Sequence, residues 1–430
     1  MSDPETNMSD EIVPDAVPAD SPRRRAHTRG QKWIVGLNAV VAFALVVSGV
    51  VLFWAGARLS SRQVVAITHS PSLTGNAGED PFASLADGDM SAQNFLITGS
   101  DNNACIPEDS KYYGTLAGRE GLGERSDTIM IIRANPGTQQ AAILSFPRDL
   151  WVKIAGSNHS SKLNSAFDRQ DPSMLIQTIE ENFGIPIHHY VNVDFCAFMS
   201  LVDALGGIKI PFEYAVKDSH THFEVSAPGC VQLSGIDALQ YARSRYYYYW
   251  SEKYGEWRQD PSSDRGRIAR QQDFVRRLMQ RAIDKGARSP RVANNLINIA
   301  LKNVITDRDL TPLKLLQLGK TMRSLDSRAV RTYMLDGHGE IIGNSSVIVP
   351  DTKSTIAKQI LAIFRGEANL SNAVEQNLQS STDTTAPSTT VSPFKPTTTT
   401  SPLTTTTTLP VVEPEQVPVG LVPPHNSDCH

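Results

Sequence analysis

Arginine and aspartate come together five times along this chain, each time where a turn-like stretch meets a regular one. Asp101 follows an apolar run in Gly99-Ser100-Asp101, and Arg125 and Asp127 precede a second run in Arg125-Ser126-Asp127-Thr128. Arg148 and Asp149 follow a third in Pro147-Arg148-Asp149, and Arg243 and Arg245 close a helical pattern. Asp264, Arg267, Arg270 and Gln271 open a long helical pattern, in which Arg267, Arg270 and Gln271 stand at i, i+3 and i+4 and share a face. A guanidinium meets phosphate oxygens through two parallel charge-assisted hydrogen bonds. Carboxylates set among the arginines would repel a phosphate unless a hard cation lay between, and Mg²⁺ is held by one or two carboxylates plus substrate phosphates and water. The combination points to a pyrophosphate site with Mg²⁺ (or Mn²⁺). The chemistry is phosphoryl transfer, which needs mainly positioning and charge neutralisation. For any single Arg–Asp pair a surface ion pair is the ordinary explanation; five clusters at segment boundaries favour a site.

The intervening sequence supplies a scaffold for these side chains. Residues 94–99, 128–133 and 141–146 are short runs rich in Ile and Leu bounded by turn residues, and read as buried strands. Residues 151–154 read as an extension of that sheet. Ser173–Phe183 carries apolar residues at 175, 176, 179 and 183, a helical period stopped by Gly184. Residues 190–193 are strand-like; 195–205 form a helix ended by Gly206-Gly207, and 208–210 resume an extended run. Ser234 heads a helix to Arg243 as its N-cap. A long amphipathic helix over 267–285 places Ile268, Val275, Leu278 and Ala282 on one face. Helices near 291–304 and 312–323, strands at 330–335 and 347–349, and a helix at 354–364 complete the pattern. Strands alternating with helices predict an α/β fold, a three-layer α-β-α domain with a mixed central sheet over residues 93–367. Ligands of such sheets bind at the loops beyond the strand ends, where the Arg/Asp clusters fall.

One transmembrane helix is expected ahead of this domain. Residues 1–32 read as a disordered cytoplasmic leader, acidic and proline-bearing at first, then basic at Arg23, Arg24, Arg25, Arg29 and Lys32. Residues 33–57 run without a charge, framed by Trp33 and Trp54, and about 20 apolar residues suffice to cross a bilayer. A cleaved signal peptide shares the basic-then-apolar order, but its apolar region spans roughly 7–15 residues; the longer run favours a retained anchor. The basic residues before it place the N-terminus in the cytoplasm and everything after it outside. Residues 58–92 read as an extracellular stalk. Residues 368–430 read as a disordered Thr/Pro-rich tail, with unbroken threonine runs at 397–400 and 404–408.

The four cysteines all fall on the outer side of this topology, where disulfides persist. Four cysteines allow three pairings; Cys196 with Cys230 is favoured because the two flank one helix–strand–loop unit. There is no CxxC spacing, no GxSxG elbow and no HExxH, so zinc, redox and serine-hydrolase chemistry lack a basis. A formal net charge of -4 with no basic stripe gives no footprint for nucleic acid.

Seven blocks occur in order: NFLITGSD (94–101), RSDTIMI (125–131), ILSFPRDLWVKI (143–154), KLNSAF (162–167), FMSLVDALGGIKI (198–210), LSGIDALQYARSR (233–245) and DRGRIARQQ (264–272). Together they resemble the signature blocks of the LytR-CpsA-Psr family of cell-wall glycopolymer transferases, covering about 93–285. The resemblance implies a bacterial membrane phosphotransferase. It would take a glycopolymer from a polyprenyl-pyrophosphate carrier, attach it to peptidoglycan and leave polyprenyl phosphate. It further implies Mg²⁺ on Asp101 and Asp127. Pyrophosphate would be bound by Arg125, Arg148, Arg243, Arg245, Arg267 and Arg270, with Gln271 alongside. Asp149 and Asp264 match the motifs without an assigned role; Asp127 or Asp149 is the candidate to take the acceptor's proton, and a metal-bound route without a dedicated base is the alternative. The stretch between Asp101 and Arg125 is long, so their closeness requires that loop to fold back.

Two other readings use the same residues: a polyprenyl-pyrophosphate phosphatase with water as acceptor, and a non-enzymatic wall anchor tethered by its tail. Convergent phosphate ligands argue against the anchor. Tyr246–Tyr249 and Trp250, directly after Arg245, are either a sugar-stacking or interfacial surface or a packed loop.

Overall fold

The computed structural model describes residues 63–67, 92–101, 105–106, 108–110, 112–113, 126–288, 290–326, 329–370, 376, 422–423 and 429. The leader, the apolar run at 33–57, Arg125 and most of the Thr/Pro-rich tail lie outside them. Among the described residues no helix is long and apolar enough to cross a membrane.

The chain folds around a seven-stranded mixed sheet. Its strands are β1 (Val64–Val65), β2 (Gln93–Ser100), β3 (Ser126–Asn135), β4 (Gln140–Phe146), β5 (His189–Asp194), β6 (Val304–Asp307) and β7 (Arg331–Met334), in spatial order β1-β6-β5-β2-β3-β4-β7. β2, β3 and β4 form an antiparallel meander. Helix α1 (Ser173–Phe183) then carries the chain across one face, so that β5 returns parallel to β2. β1, inside the stretch read as a stalk, pairs in parallel with β6 at Thr306 and Asp307.

Alternation along the strands sends side chains to two faces, and helices cover both. On one face Leu96, Ile129, Ile131 and Leu144 pack against Leu175, Ile176, Ile179 and Phe183 of α1; Ile360, Leu361 and Phe364 also join them. On the other, Phe95, Met130 and Ile143 meet Val275, Met279, Ile283, Leu315 and Leu318. Each fully buried Leu, Ile or Phe contributes about 1.5–3 kcal/mol, so the two apolar layers hold the sheet against the loss of chain entropy. Among the described residues the other α-helices are α2 (Phe195–Ala204), α3 (Gly235–Arg243), α4 (Ser263–Arg288), α5 (Pro290–Asn303), α6 (Pro312–Thr321) and α7 (Thr355–Arg365). α7 supplies Ile360, Leu361 and Phe364, and α4 and α6 supply the second face.

Local signals explain the boundaries. Gly184 ends α1 in the left-handed region at φ 67°, and the Ser234, Thr311 and Ser354 side chains accept the first-turn N–H groups of α3, α6 and α7. α2 ends at Gly206-Gly207, with φ of 70° and 79°; a side chain at Gly207 would also place its Cβ 2.7 Å from the Leu233 carbonyl oxygen.

Two expectations are corrected. Residues 151–154 do not extend the central sheet: Trp151–Lys153 pairs only with Ser160–Lys162, in a small ladder set off by the Pro147-Arg148-Asp149 turn. The cysteines pair as Cys105–Cys196 and Cys230–Cys429, not Cys196–Cys230. Nearness along the chain misled, because the loop after β2 lies against the first turn of α2 and captures Cys196 there. Cys230 instead opens the strand Gly229–Leu233, opposite Pro211, and takes Cys429.

Candidate active site

Asp127, Arg148, Asp149, Arg245, Asp264 and Arg267 meet at one end of the central sheet. β2 and β3 pair with a register shift between Gly99 and Ser100: Gly99 faces Thr128 while Ser100 faces Ser126, so Asp127 is the extra, bulged residue. A bulge re-aims a side chain out of the strand alternation, and here it turns Asp127 into the site. Asp101 follows directly after this pairing, which places it beside the Ser126 end of β3. The loop between them is pinned back by the Cys105–Cys196 bond, by Tyr112 Oη donating to Asp237 Oδ1 at 3.1 Å, and by Ile106 and Tyr112 packing on Leu239.

Three arginines from three elements converge on Asp127. Arg148 Nη1 donates to its Oδ1 at 2.6 Å, Arg245 Nη2 to its Oδ2 at 3.4 Å, and Arg267 Nη1 stands 3.8 Å from Oδ2. Arg267 also donates through Nη2 to the Asp127 carbonyl oxygen at 3.1 Å and pairs with Asp264 at 2.9 Å. Asp264 in turn lies 3.3 Å from Arg245 Nε. On the far side, Asp149 stands 3.5 Å from Arg148 and 2.9 Å from Lys162. Arg148, Arg245, Arg267 and Lys162 therefore interleave with Asp127, Asp149 and Asp264.

Burial pulls the Asp127 carboxyl upward, but Arg267, Arg148 and Arg245 outweigh it and hold the group below its ordinary value. For Arg148, burial favours the neutral form, and the Asp127 carboxylate more than offsets it, so this guanidinium stays charged. Arg267, with a side chain 2% exposed, is pulled down to about 10, chiefly by burial. Among the described residues its Nε and that of Arg148 are buried without a hydrogen bond, although Arg148 Nε lies 3.5 Å from Asp149 Oδ2.

The other sequence-selected residues occupy different places. Arg270 is fully buried: its Nη1 donates to Asp260 at 3.1 Å, its Nη2 to the Ser244 carbonyl oxygen at 2.7 Å, and its guanidinium lies 4.2 Å from the Tyr247 ring centre. It braces the turn that carries Arg245. Gly266 makes room for this brace, since a Cβ there would lie 2.1 Å from Ser262 Oγ and 2.8 Å from Asp260 Oδ2. Gln271 donates to the Ala242 carbonyl oxygen at 3.0 Å, and Arg243 reaches Gln240 at 3.2 Å and lies over Phe195. Arg125 lies outside the described residues.

Two contributors were not singled out from sequence. Lys162, the first residue of the KLNSAF block, is delivered to Asp149 by the small ladder Trp151–Lys153 with Ser160–Lys162. Asp218 is fully buried, and its Oδ2 accepts from the backbone N–H of Arg245 at 3.1 Å and of Tyr246 at 3.0 Å; it fixes the backbone from which Arg245 projects. A lone acidic residue on a short strand carries no signal in sequence that would reveal this.

Among the described residues no three His, Cys, Asp or Glu gather to hold a metal ion by themselves. Asp101 and Asp127, as hard oxygen donors at adjoining strand ends, suit Mg²⁺ of the kind completed by phosphate oxygens and water.

An α/β domain that gathers guanidinium groups and carboxylates at the strand ends of a mixed sheet has the side chains to bind an anionic ligand. The LytR_cpsA_psr family model matches residues 65–361, and the chain belongs to that family. It is 28% identical over 330 residues to a polyisoprenyl-teichoic acid–peptidoglycan teichoic acid transferase TagU of Oceanobacillus iheyensis, covering 74% of this chain and 90% of that one. It is 26% identical over 268 residues to biofilm regulatory protein A of Streptococcus mutans, covering 59% of this chain and 61% of that one. The crystal structure of Bacillus subtilis TagV shares the fold, with 23% identity, a TM-score of 0.50, and coverage of 65% of this chain and 99% of that one.

Proposed function

We infer that this protein is a membrane-anchored phosphotransferase. It moves a glycopolymer from a polyprenyl-pyrophosphate carrier to a peptidoglycan hydroxyl and leaves polyprenyl phosphate. The observation that carries the reading is the convergence of Arg148, Arg245 and Arg267 on Asp127. The name of the Oceanobacillus relative, matched over most of its length, supports the same reaction class.

In this reading the acceptor oxygen bonds to the phosphorus on the glycan side of the pyrophosphate. The bridging P–O bond breaks, and polyprenyl phosphate leaves with the electron pair. Arg148, Arg245 and Arg267 bind the pyrophosphate oxygens and neutralise charge on the leaving phosphate. Asp127 spaces the arginines in the resting site, with Arg148 on its Oδ1 and Arg245 on its Oδ2. The proton of the acceptor hydroxyl goes to a carboxylate of this cluster, Asp149 or Asp127, each held in place by its cations. Asp101 and Asp127 would hold Mg²⁺, which supplies charge neutralisation at the phosphates when bound. The apolar run at 33–57 is the anchor that keeps the domain on the outer membrane face, next to its lipid carrier.

The test incubates the full-length protein with a lipid-pyrophosphate glycan donor and peptidoglycan, with and without Mg²⁺. A covalent glycan–peptidoglycan product that disappears in Arg267→Ala is expected. Release of free glycan phosphate in place of a linked product makes the protein a phosphatase, and consumption of no donor at all makes it an anchor.

A further inference from the structure

Directly beyond Arg245 the chain builds a second concave site that the transfer chemistry does not use. Strand Tyr248–Ser251 pairs on one side with Val216–Asp218 and on the other with Glu256–Gln259. A cleft of about 470 Å³ opens on this small sheet, lined by Tyr214, Trp250 and Trp257, with Glu213, Glu252 and Ser226 at its polar positions. That volume lies within the range of small-ligand sites, roughly 300–1,000 Å³.

The rings have a fixed arrangement. Trp250 and Trp257 are cross-strand partners in register, with centroids 5.7 Å apart and planes at 71°. Lys217 sits 4.1 Å from the Trp257 ring centre, and Tyr214 packs on the buried Tyr249 at 5.5 Å. The two tryptophans and Tyr214 remain partly exposed rather than sinking into the core. Aromatic faces beside carboxylate and hydroxyl acceptors suit a ligand with an apolar ring face and hydroxyl or amide donors around its edge, which describes a pyranose. Glu213 and Glu252 would repel a phosphate-rich chain, so the cleft suits an uncharged or amide-bearing glycan. Its position is fixed relative to the arginines: Asp218, on the strand beside Trp250's own, holds the Arg245 and Tyr246 amides. Trp250 lies five positions beyond Arg245, at most about 17 Å of extended chain.

We propose that this cleft is a carbohydrate subsite that holds the acetylated amino-sugar strand of the wall acceptor while a neighbouring hydroxyl reaches the arginines. The assignment to the acceptor rests on the transferase reading; glycan binding by the cleft does not.

The experiment measures tryptophan fluorescence of the full-length protein in detergent during titration with chitotetraose, with a glycerol-phosphate oligomer as the second probe and inorganic pyrophosphate as the third. Saturable binding of chitotetraose is expected. It should weaken roughly tenfold in Trp250→Ala read by the remaining tryptophans, the change that about 1.4 kcal/mol of lost stacking produces. Trp250→Phe keeps a ring and should stay within about threefold of the parent, which separates stacking from misfolding. Pyrophosphate binding should persist in Trp250→Ala, and chitotetraose binding should persist in Arg267→Ala. Unchanged chitotetraose affinity in Trp250→Ala, or preference for the glycerol-phosphate oligomer, overturns the subsite. Chitotetraose binding in a protein that transfers nothing to peptidoglycan supports the subsite and removes only its assignment to an acceptor.

Discussion

Arg148 Nη1 reaches Asp127 Oδ1 at 2.6 Å, and this contact joins the turn after β4 to the bulge that opens β3. The pair sets the spacing of the site: Asp127 draws in Arg245 and Arg267 as well, and without it three guanidinium groups would repel one another. The same carboxylate competes with an incoming anion for those donors. Asp127→Asn should therefore bind inorganic pyrophosphate at least as tightly as the parent. Glycan transfer should nevertheless fall by roughly 10²-fold, the scale on which a misplaced electrostatic group acts. Calorimetric binding beside single-turnover transfer checks both; weakened pyrophosphate binding in Asp127→Asn would contradict this role.

Arg148 and Arg270 should separate cleanly. Arg148 is a quarter exposed, at 24%, and its partners retain solvent, so Arg148→Ala should lose transfer while costing about 1 kcal/mol of stability or less. Arg270 and Asp260 are 0% and 1% exposed, and removing one partner of a buried pair costs about 3–5 kcal/mol. Arg270→Ala should melt well below Arg148→Ala in thermal denaturation. Equal melting temperatures would mean that Arg270 is not the brace the geometry describes.

Much of this arrangement was legible in the sequence, and what was not has definite causes. Strand cores at 94–99, 128–133 and 141–146 and helix Ser173–Phe183 stood out because apolar periodicity and glycine stops agree with the tertiary packing there. Arg267 and Arg270 looked equivalent, since i, i+3 spacing places both on one helical face; only the turn at Ser244 decides that one meets Asp127 and the other Asp260. Residues 151–154 resembled a central strand because Trp, Val and Ile favour any sheet, and composition does not reveal which neighbour a strand finds. The disulfides were misjudged because sequence separation says little about distance once β2, β5 and α2 bring residues 91 positions apart together. Lys162 and Asp218 act from short strands too brief to show a pattern.

The Cys105–Cys196 bond ties Cys105, four positions beyond Asp101, to the first turn of α2, so its loss should be felt in catalysis as well as in stability. Replacing both cysteines by serine should cost about 2–4 kcal/mol, the usual effect of a disulfide across a long loop, and should lower transfer more than pyrophosphate binding by Arg148 and Arg267. Cys429→Ser with Cys230→Ser removes a bond anchored on the strand Gly229–Leu233, which carries none of the Asp127 cluster, and should leave transfer within about twofold. Denaturant titrations and transfer assays on both double variants test the contrast; equal losses of transfer would refute a positioning role for the first bond.

The last prediction concerns acid stability. Asp307 is fully buried at the end of β6. Its Oδ1 accepts from the Asp309 and Leu310 amides, both at 2.9 Å, and its Oδ2 from the Tyr190 amide at 3.0 Å, with His189 Nδ1 at 3.1 Å. Burial alone would raise this carboxyl, but the His189 contact and the Tyr190 and Leu310 amides outweigh it, so the group is held below its ordinary value. A carboxyl whose folded value is depressed contributes stability that is fully present above its unfolded value, about 3.9. That contribution is lost as pH falls through the lower folded value. Asp307→Asn should thus be less stable than the parent by about 2–3 kcal/mol at neutral pH, the scale of charge-assisted hydrogen bonds. The difference should stay constant from pH 8 to about 5 and close as the pH falls below about 4. Urea denaturation at several pH values measures it directly. A gap that widens in acid would mean that the Asp307 carboxyl is protonated in the native protein, and that β5 and β6 are joined there by neutral hydrogen bonds alone.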